Sequence, residues 1–270
     1  MVCIRRSIRR IFAPTLLVLA VISLAACSDK DAYQDRPVNE LYNEAMDKLL
    51  DEENLAAAKL FDEVDRQHPY SPWATRAEIM AAYARYMANE YDDAIAGVDR
   101  FIQLHPGNSM IAYAYYLKAV CFYDQIETVE LDQKLTESAE LALLELTRRF
   151  PQSIYVKDAK EKLTLVNDHL AGKEMSIGRW YEKRKLYVSA INRFRRIVET
   201  YQTTIYTPEA LQRLTESYLA MGMYDEAKKT AAILGKNYPA SEWYRDTYAL
   251  MMEQRVRFEG KKEGDGITRH

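Results

Sequence analysis

Ala57-Ala58-Lys59-Leu60-Phe61-Asp62-Glu63-Val64-Asp65-Arg66-Gln67-His68-Pro69 decides the fold, because the chain repeats it. The same skeleton returns 37 residues later as Ala94, Val98 and Pro106. It returns as Ala139, Leu143 and Pro151, then as Ala190 and Phe194, and finally as Ala227, Ala231 and Pro239. Ala45, Ala82 and Ala119 keep the same 37-residue step, as does Ala190 to Ala227. A small residue recurring at this step lets paired antiparallel helices approach closely. The larger apolar residue one turn on fills the layer between pairs. The proline ends the second helix of each pair, since it cannot continue the hydrogen-bond ladder. Residues 38–258 are rich in Ala, Leu, Glu, Lys and Met, and poor in the β-branched runs that mark strands.

The periodicity resembles the tetratricopeptide repeat, whose unit is 34 residues, with a slightly longer loop. The expected fold is therefore all-α: a tetratricopeptide-repeat solenoid of five repeats in two sub-stacks with a C-terminal capping helix. The units run over about 38–71, 72–108, 109–152, 153–204 and 205–239. Ser71-Pro72 and Thr207-Pro208 each place a capping side chain before a proline at a helix start. Unit three carries an insertion around Glu127 to Lys134. The first helix of unit four is expected to run from Tyr155 to about Arg184, with Gly172 and Gly178 as its weak points. It would join a domain at 38–152, repeats one to three, to one at 153–258, repeats four and five plus a capping helix from Ser241 to Phe258. The polar, Gly-bearing tail 259–270 is expected to be disordered.

The N-terminus carries a different signal. Arg5, Arg6, Arg9 and Arg10 precede an apolar run, Ile11 to Leu24, too short for a spanning helix. Leu24-Ala25-Ala26-Cys27 resembles the lipobox of bacterial lipoprotein precursors. Residues 1–26 would be a cleaved signal peptide, Cys27 the lipidated residue and 27–37 a tether. An ordinary secretory signal that happens to end in cysteine is the alternative. More than one acyl chain on one residue gives stable anchoring, at about 0.8 kcal/mol per buried methylene. Ser28, where the sorting pattern places Asp for inner-membrane retention, points to the periplasmic face of the outer membrane.

Losing residues 1–26 lowers Lys+Arg from 37 to 33 against 40 Asp+Glu, a formal net charge of −7. No basic excess remains for a phosphate backbone, so nucleic acid is not an expected partner. With Cys3 removed and Cys27 acylated, only Cys121 is left, and no internal disulfide can form. Cys121 sits among Ala119, Val120 and Phe122 as a small core residue. The chain has no Gly-rich phosphate loop, no His-Glu-x-x-His and no Gly-x-Ser-x-Gly. His68 and His105 occupy equivalent repeat positions a whole unit apart, poor geometry for one metal. No enzyme, metal site or cofactor is expected.

A solenoid presents a concave face lined by the first helices of its units. In this register the groove positions are Tyr42, Met46 and Leu49; Ile79, Tyr83 and Tyr86; Tyr113, Tyr116 and Tyr123. They continue as Met175, Arg179 and Glu182, then Gln212, Glu216 and Leu219. The tyrosines concentrate in the first sub-stack and suit a peptide groove; the competing reading is that they pack between helices. Repeat four is basic, with Arg179, Lys183, Arg184, Lys185, Arg193, Arg195 and Arg196. Such a face could dock an acidic partner or be a solvated face with internal ion pairs.

Further stretches narrow the family. Asp99-Arg100-Phe101-Ile102-Gln103-Leu104-His105-Pro106, Phe150-Pro151-Gln152-Ser153-Ile154-Tyr155 and Tyr181-Glu182-Lys183-Arg184 with Ala190-Ile191-Asn192-Arg193 resemble the BamD (ComL) family. These are lipoproteins of the outer-membrane β-barrel assembly machinery. The turn His68-Pro69-Tyr70-Ser71-Pro72-Trp73 only approximates the family's Pro-aromatic-Gly-x-Tyr turn. The resemblance implies a lipid-anchored periplasmic scaffold. Its implied partners are the barrel-forming subunit, through a BamA-like POTRA domain, accessory assembly lipoproteins, and unfolded outer-membrane protein precursors. It places Arg193, with Arg184, at the barrel-subunit interface and precursors in the tyrosine groove. Another periplasmic repeat lipoprotein, an adaptor of cell-wall or protease enzymes, is the alternative.

Overall fold

A computed structural model describes residues 35–267, with side chains through residue 254. The signal, Cys27, tether residues 28–34 and residues 268–270 lie outside the described residues. Among those described there are eleven helices and no strand. Five antiparallel pairs follow one another: α1 (Val38–Leu50) with α2 (Asn54–Gln67), α3 (Pro72–Met87) with α4 (Tyr91–Leu104), and α5 (Ile111–Tyr123) with α6 (Lys134–Arg149). Then come α7 (Val156–Lys183) with α8 (Tyr187–Thr200), α9 (Thr207–Ala220) with α10 (Tyr224–Asn237), and a last helix, α11 (Glu242–Ile267). Each helix packs on its neighbours in sequence, and α1, α3, α5 and α7 also touch in series. The chain is an all-α, tetratricopeptide-like solenoid.

The repeat is visible atom by atom. Ala57, Ala94, Ala139, Ala190 and Ala227 are fully buried, as are Phe61, Val98, Leu143 and Phe194. Four hairpins turn in three residues, and the middle one, Glu52, Asn89, Lys185 or Gly222, has φ between 60° and 73°. Each turn is closed by a backbone bond spanning five residues, such as Glu53 N–H to Lys48 O at 2.9 Å and Leu186 N–H to Tyr181 O at 3.0 Å. That is the Schellman arrangement, which needs a left-handed residue. Between repeats, His68, His105, Phe150, Tyr201 and Tyr238 end their helices in one shared conformation. The N–H three residues on bonds back to each of their carbonyls.

Caps only partly match expectation. Ser71 accepts the Trp73 N–H at 3.2 Å ahead of Pro72. Thr207 does not cap: it lies inside α9, and its hydroxyl donates to Tyr201 O at 2.9 Å. The inter-repeat turn already holds that carbonyl beside Thr207, and a hydroxyl there stabilises the turn instead of the helix.

The glycines of α7 are not weak points. The helix runs unbroken from Val156 to Lys183. A Cβ on Gly172 would meet the Tyr206 ring at 3.1–3.2 Å, and one on Gly178 would overlap Phe194, reaching Cδ1 at 2.7 Å. Both glycines are contact points where a neighbour's ring lies against the helix backbone. The core is continuous beyond α5: one cluster of buried residues runs from Ala119 through Leu143, Met175 and Phe194 to Ala227. It crosses the boundary expected near residue 152, so the long helix joins the two halves through shared packing. At the C-terminus α11 continues past Phe258 to Ile267, into the segment expected to be a disordered tail. Glu259, Lys261, Lys262 and Glu263 are good helix formers that offset the glycines between them.

A tyrosine ladder and an arginine cluster as candidate binding faces

The tyrosines of α3 and α5 form a ladder in two sections of touching rings. Tyr83 and Tyr86 have ring centroids 6.2 Å apart. Tyr116 stacks on Tyr155, the residue before α7, at 4.8 Å and 18°, and Tyr113 lies 5.6 Å from the same ring. Tyr86 donates to Asp124 Oδ2 at 2.6 Å and Tyr116 to Asp158 Oδ2 at 2.8 Å. Lys162 Nζ sits 5.0 Å above the Tyr123 ring and 3.2 Å from Asp158 Oδ1. These six tyrosines are half-buried. Burial, and for Tyr86 and Tyr116 the adjacent carboxylate, pushes the phenols of Tyr86, Tyr113 and Tyr116 well above their ordinary value. They stay neutral hydroxyls at any physiological pH.

Beside the ladder lies a groove of about 850 Å³ walled by Tyr83, Met110, Tyr113, Phe150, Ile154 and Tyr155. Ile154 is 83% exposed. No hydrogen bond within the described residues engages the hydroxyls of Tyr83 and Tyr113. An apolar trough with unpaired hydroxyls on its wall suits an extended chain. Rings take apolar side chains, and each hydroxyl can donate to a carbonyl or accept from an amide.

Several expected groove positions belong to the core. Tyr42 is buried, its ring 5.4 Å from Phe61 and 4.7 Å from Trp73, and Met46 and Leu49 pack on the same first-repeat cluster. Ile79 and Met175 are fully buried, and Gln212 nearly so. Tyr42 is enclosed from α2 and α3, Ile79 packs with α4 and α5, and Met175 lies in the cluster that runs from α5 to α10. Tyr155 joins the ladder without having been marked as a groove residue. Its signal is position, the last residue before a first helix, facing the preceding one.

The second face is electrostatic. Glu174, nearly buried on α7, accepts from Arg193 Nη1 at 3.1 Å and Arg196 Nη1 at 3.0 Å. Arg179 Nε donates to Glu209 Oε1 at 2.8 Å, and Arg213 binds Glu209, Glu182 and Glu216. Arg195 donates to the Tyr218 hydroxyl at 2.9 Å. Four of the five arginines of repeat four, Arg179, Arg193, Arg195 and Arg196, are thus engaged by groups on facing helices. The exceptions lie at the α7–α8 turn: Lys183, Arg184 and Lys185 form no ion pair among the described residues, and Arg184 lies 3.6 Å over the Trp180 ring. Trp180, Leu186 and Val188 are exposed beside them. This is a basic patch with an apolar floor.

The repeat-three insertion, residues 124–133, is tied to the same helix. Lys173 Nζ donates to Glu130 O at 2.8 Å and Leu131 O at 3.2 Å. His68 Nε2 lies 2.6 Å from Arg36 O and His105 Nε2 3.2 Å from Glu78 Oε2, so the two histidines serve separate structural contacts. Cys121 is buried and burial pushes its thiol up to about 12, so it stays protonated. Among the described residues no helix is long and apolar enough to cross a membrane.

The family described as Outer membrane lipoprotein, YfiO, matches residues 34–234. The chain belongs to this family. "Outer membrane protein assembly factor BamD" of Caulobacter vibrioides is 46% identical over 245 residues, covering 89% of this chain and 80% of that one. The protein of the same name from Rickettsia prowazekii is 43% identical, covering 87% of this chain and 94% of that one. A solved TPR protein of Thermus thermophilus aligns over 80% of this chain and 99% of that one at 19% identity. Its TM-score of 0.35 adds nothing to the fold read from the helices. The YfiO match begins just before α1 and ends inside α10, so it takes in the ladder, the arginine cluster and the insertion, and leaves out α11.

Proposed function

We propose that this YfiO-family chain is a lipid-anchored scaffold of outer-membrane protein assembly, without catalytic activity of its own. Family membership with two BamD relatives above 40% identity supports the assembly role. Acylation of Cys27 would hold the solenoid at the periplasmic face of the outer membrane. Unfolded barrel precursors would lie in the trough beside Tyr83, Tyr113 and Tyr155. The observation that carries this part is the pairing of exposed apolar walls with hydroxyls that lack partners. The barrel-forming subunit would dock its POTRA region on the α7–α8 surface. Arg184 contributes charge directly there, and Arg193 contributes through the Glu174 fork it shares with Arg196. Accessory assembly lipoproteins would complete the complex.

Two measurements test the reading. Tyr83→Ala and Tyr116→Ala should weaken binding of a labelled precursor peptide while helicity is retained; unchanged affinity in both removes the groove. Arg184→Glu should lower recovery of the barrel subunit in co-purification, and Arg193→Glu should do so more strongly, since it also sets a second carboxylate against Glu174. Undiminished recovery of both at physiological salt moves the docking face elsewhere.

A further inference from the structure

The turn between α2 and α3 differs from its four counterparts. Tyr70 is 99% exposed, with Pro69 and Pro72 exposed on either side and Trp73 38% exposed. Arg76 lies 5.9 Å over the Trp73 ring. Residues 66–77 contain no Asp or Glu, although the chain as a whole is acidic, and they include Arg66, His68 and Arg76. The equivalent turn His105-Pro106-Gly107-Asn108-Ser109 has no aromatic ring. Elsewhere Phe150, Tyr201 and Tyr238 turn inward, half-buried or buried.

The end of the tether is pinned to this same corner. The Arg36 N–H donates to Gln67 Oε1 at 2.9 Å, and His68 Nε2 donates to Arg36 O at 2.6 Å. The Arg36 guanidinium is held by Glu44 at 2.6 Å. The chain therefore leaves the solenoid two residues from Tyr70. From Arg36 back to Cys27 there are nine peptide steps, which reach at most about 30 Å. The leash therefore keeps this corner within about 30 Å of whatever holds Cys27.

We propose that the α2–α3 corner, Pro69 to Trp73 with Arg76, rests in the headgroup layer of the bilayer to which the tether leads. This rests on the reading that Cys27 is acylated. Tyr and Trp combine an apolar ring with a polar tip and settle at the headgroup level of a bilayer. Arg76, beside the Trp73 ring, meets anionic headgroups, while Arg66 is already held by Glu63. The corner gives the anchored solenoid a second point of contact and so a defined tilt, which a single point of attachment cannot.

The test uses the full acylated chain in vesicles of phosphatidylethanolamine and phosphatidylglycerol containing lipid brominated high on the acyl chain. Trp180→Phe with Trp243→Phe leaves Trp73 as the reporter; Trp73→Phe with Trp243→Phe leaves Trp180, which is 50% exposed and so no better shielded. Trp73 should lose fluorescence to the bromine and Trp180 should not, and Tyr70→Asp should abolish the loss without releasing the protein in flotation. Floating protein whose Trp73 is no more quenched than Trp180 overturns the inference alone. So does quenching that survives Tyr70→Asp, because the leash then sets the distance by itself. Protein that does not float overturns the anchor reading and this inference with it.

Discussion

Gly178→Ala is expected to destabilise the protein and Gly172→Ala to leave it unchanged or slightly more stable. Both glycines lie in the interior of α7, where alanine gains about 1 kcal/mol in helix propensity. The neighbours decide the sign. At Gly172 the new methyl meets the Tyr206 ring at 3.1–3.2 Å. Tyr206 is half-buried, and a shift of a few tenths of an ångström relieves the contact. At Gly178 the methyl overlaps Phe194, one of the largest fully buried side chains. That ring fills the layer between α7 and α8 and has no free volume to turn into. Overpacking of this kind costs about 1–3 kcal/mol. The net loss should be about 1 kcal/mol, and the two variants should differ by about 1–2 kcal/mol. Urea unfolding followed by circular dichroism reads this as a lower midpoint at unchanged slope. Phe194→Leu should cost less in the Gly178→Ala background than in the parent, because the overlap is its own relief. A Gly178→Ala protein as stable as Gly172→Ala would refute the reasoning.

Three further outcomes are expected. Glu52→Gly should stabilise the chain by about 1 kcal/mol, since Glu52 holds φ 62° in a turn where the fifth repeat uses Gly222; a lower thermal midpoint would contradict this. Ser71→Ala should cost about 1 kcal/mol by removing the acceptor of the Trp73 N–H, read in the same urea titration. Glu182 is pushed from 4.5 up to about 7 by burial and by Glu216 and Glu209, against the pull of Arg213 and Ser217. Its raised value makes the folded state bind a proton more tightly than the unfolded one. The stability it contributes is therefore complete below about pH 4.5 and is lost as pH rises to about 7. Glu182→Gln should flatten that window and raise stability at pH 8 by up to about 3 kcal/mol; an unchanged pH profile would count against it.

The repeat was legible because it is made of short-range facts. An alanine at a fixed step, a larger residue one turn on and a proline after the helix are each read without knowing the partner helix. The insertion of repeat three and the extent of α7 followed from the same register. What stayed hidden depends on the neighbour across the interface. Tyr42 and Tyr83 both lie on first helices, yet Trp73 and Phe61 enclose one while the other borders open space. Gly178 looks like a flexible point in one dimension and is a ring-contact point in three. The basic composition of repeat four could not reveal that Glu174 from α7, Glu209 from α9 and the Tyr218 hydroxyl engage most of its arginines. Only Lys183, Arg184 and Lys185, at the α7–α8 turn, keep the character their composition suggested. Thr207 fails as a cap for a related reason, since a carbonyl from the preceding turn reaches its hydroxyl first.

One helix carries both candidate faces. Tyr155 and Asp158, at the start of α7, close the tyrosine ladder, and Glu174, Arg179 and the Trp180–Arg184 pair lie along its second half. A helix of 28 residues is about 40 Å long, so an occupant of the trough and a partner on the arginine face would not touch. What links them is the stiffness of α7. Rings of Tyr206 and Phe194 pack against its glycines, and Lys173 binds it to the insertion. Without a hinge in that span, a ligand that tilts the start of α7 must carry the basic patch with it as a rigid lever. Removing the brace to the insertion by Lys173→Ala should therefore leave each face able to bind alone while weakening any coupling between them. Measuring precursor-peptide affinity with and without the barrel subunit would show this, and a coupling indifferent to Lys173 would mean the two faces communicate by some other route.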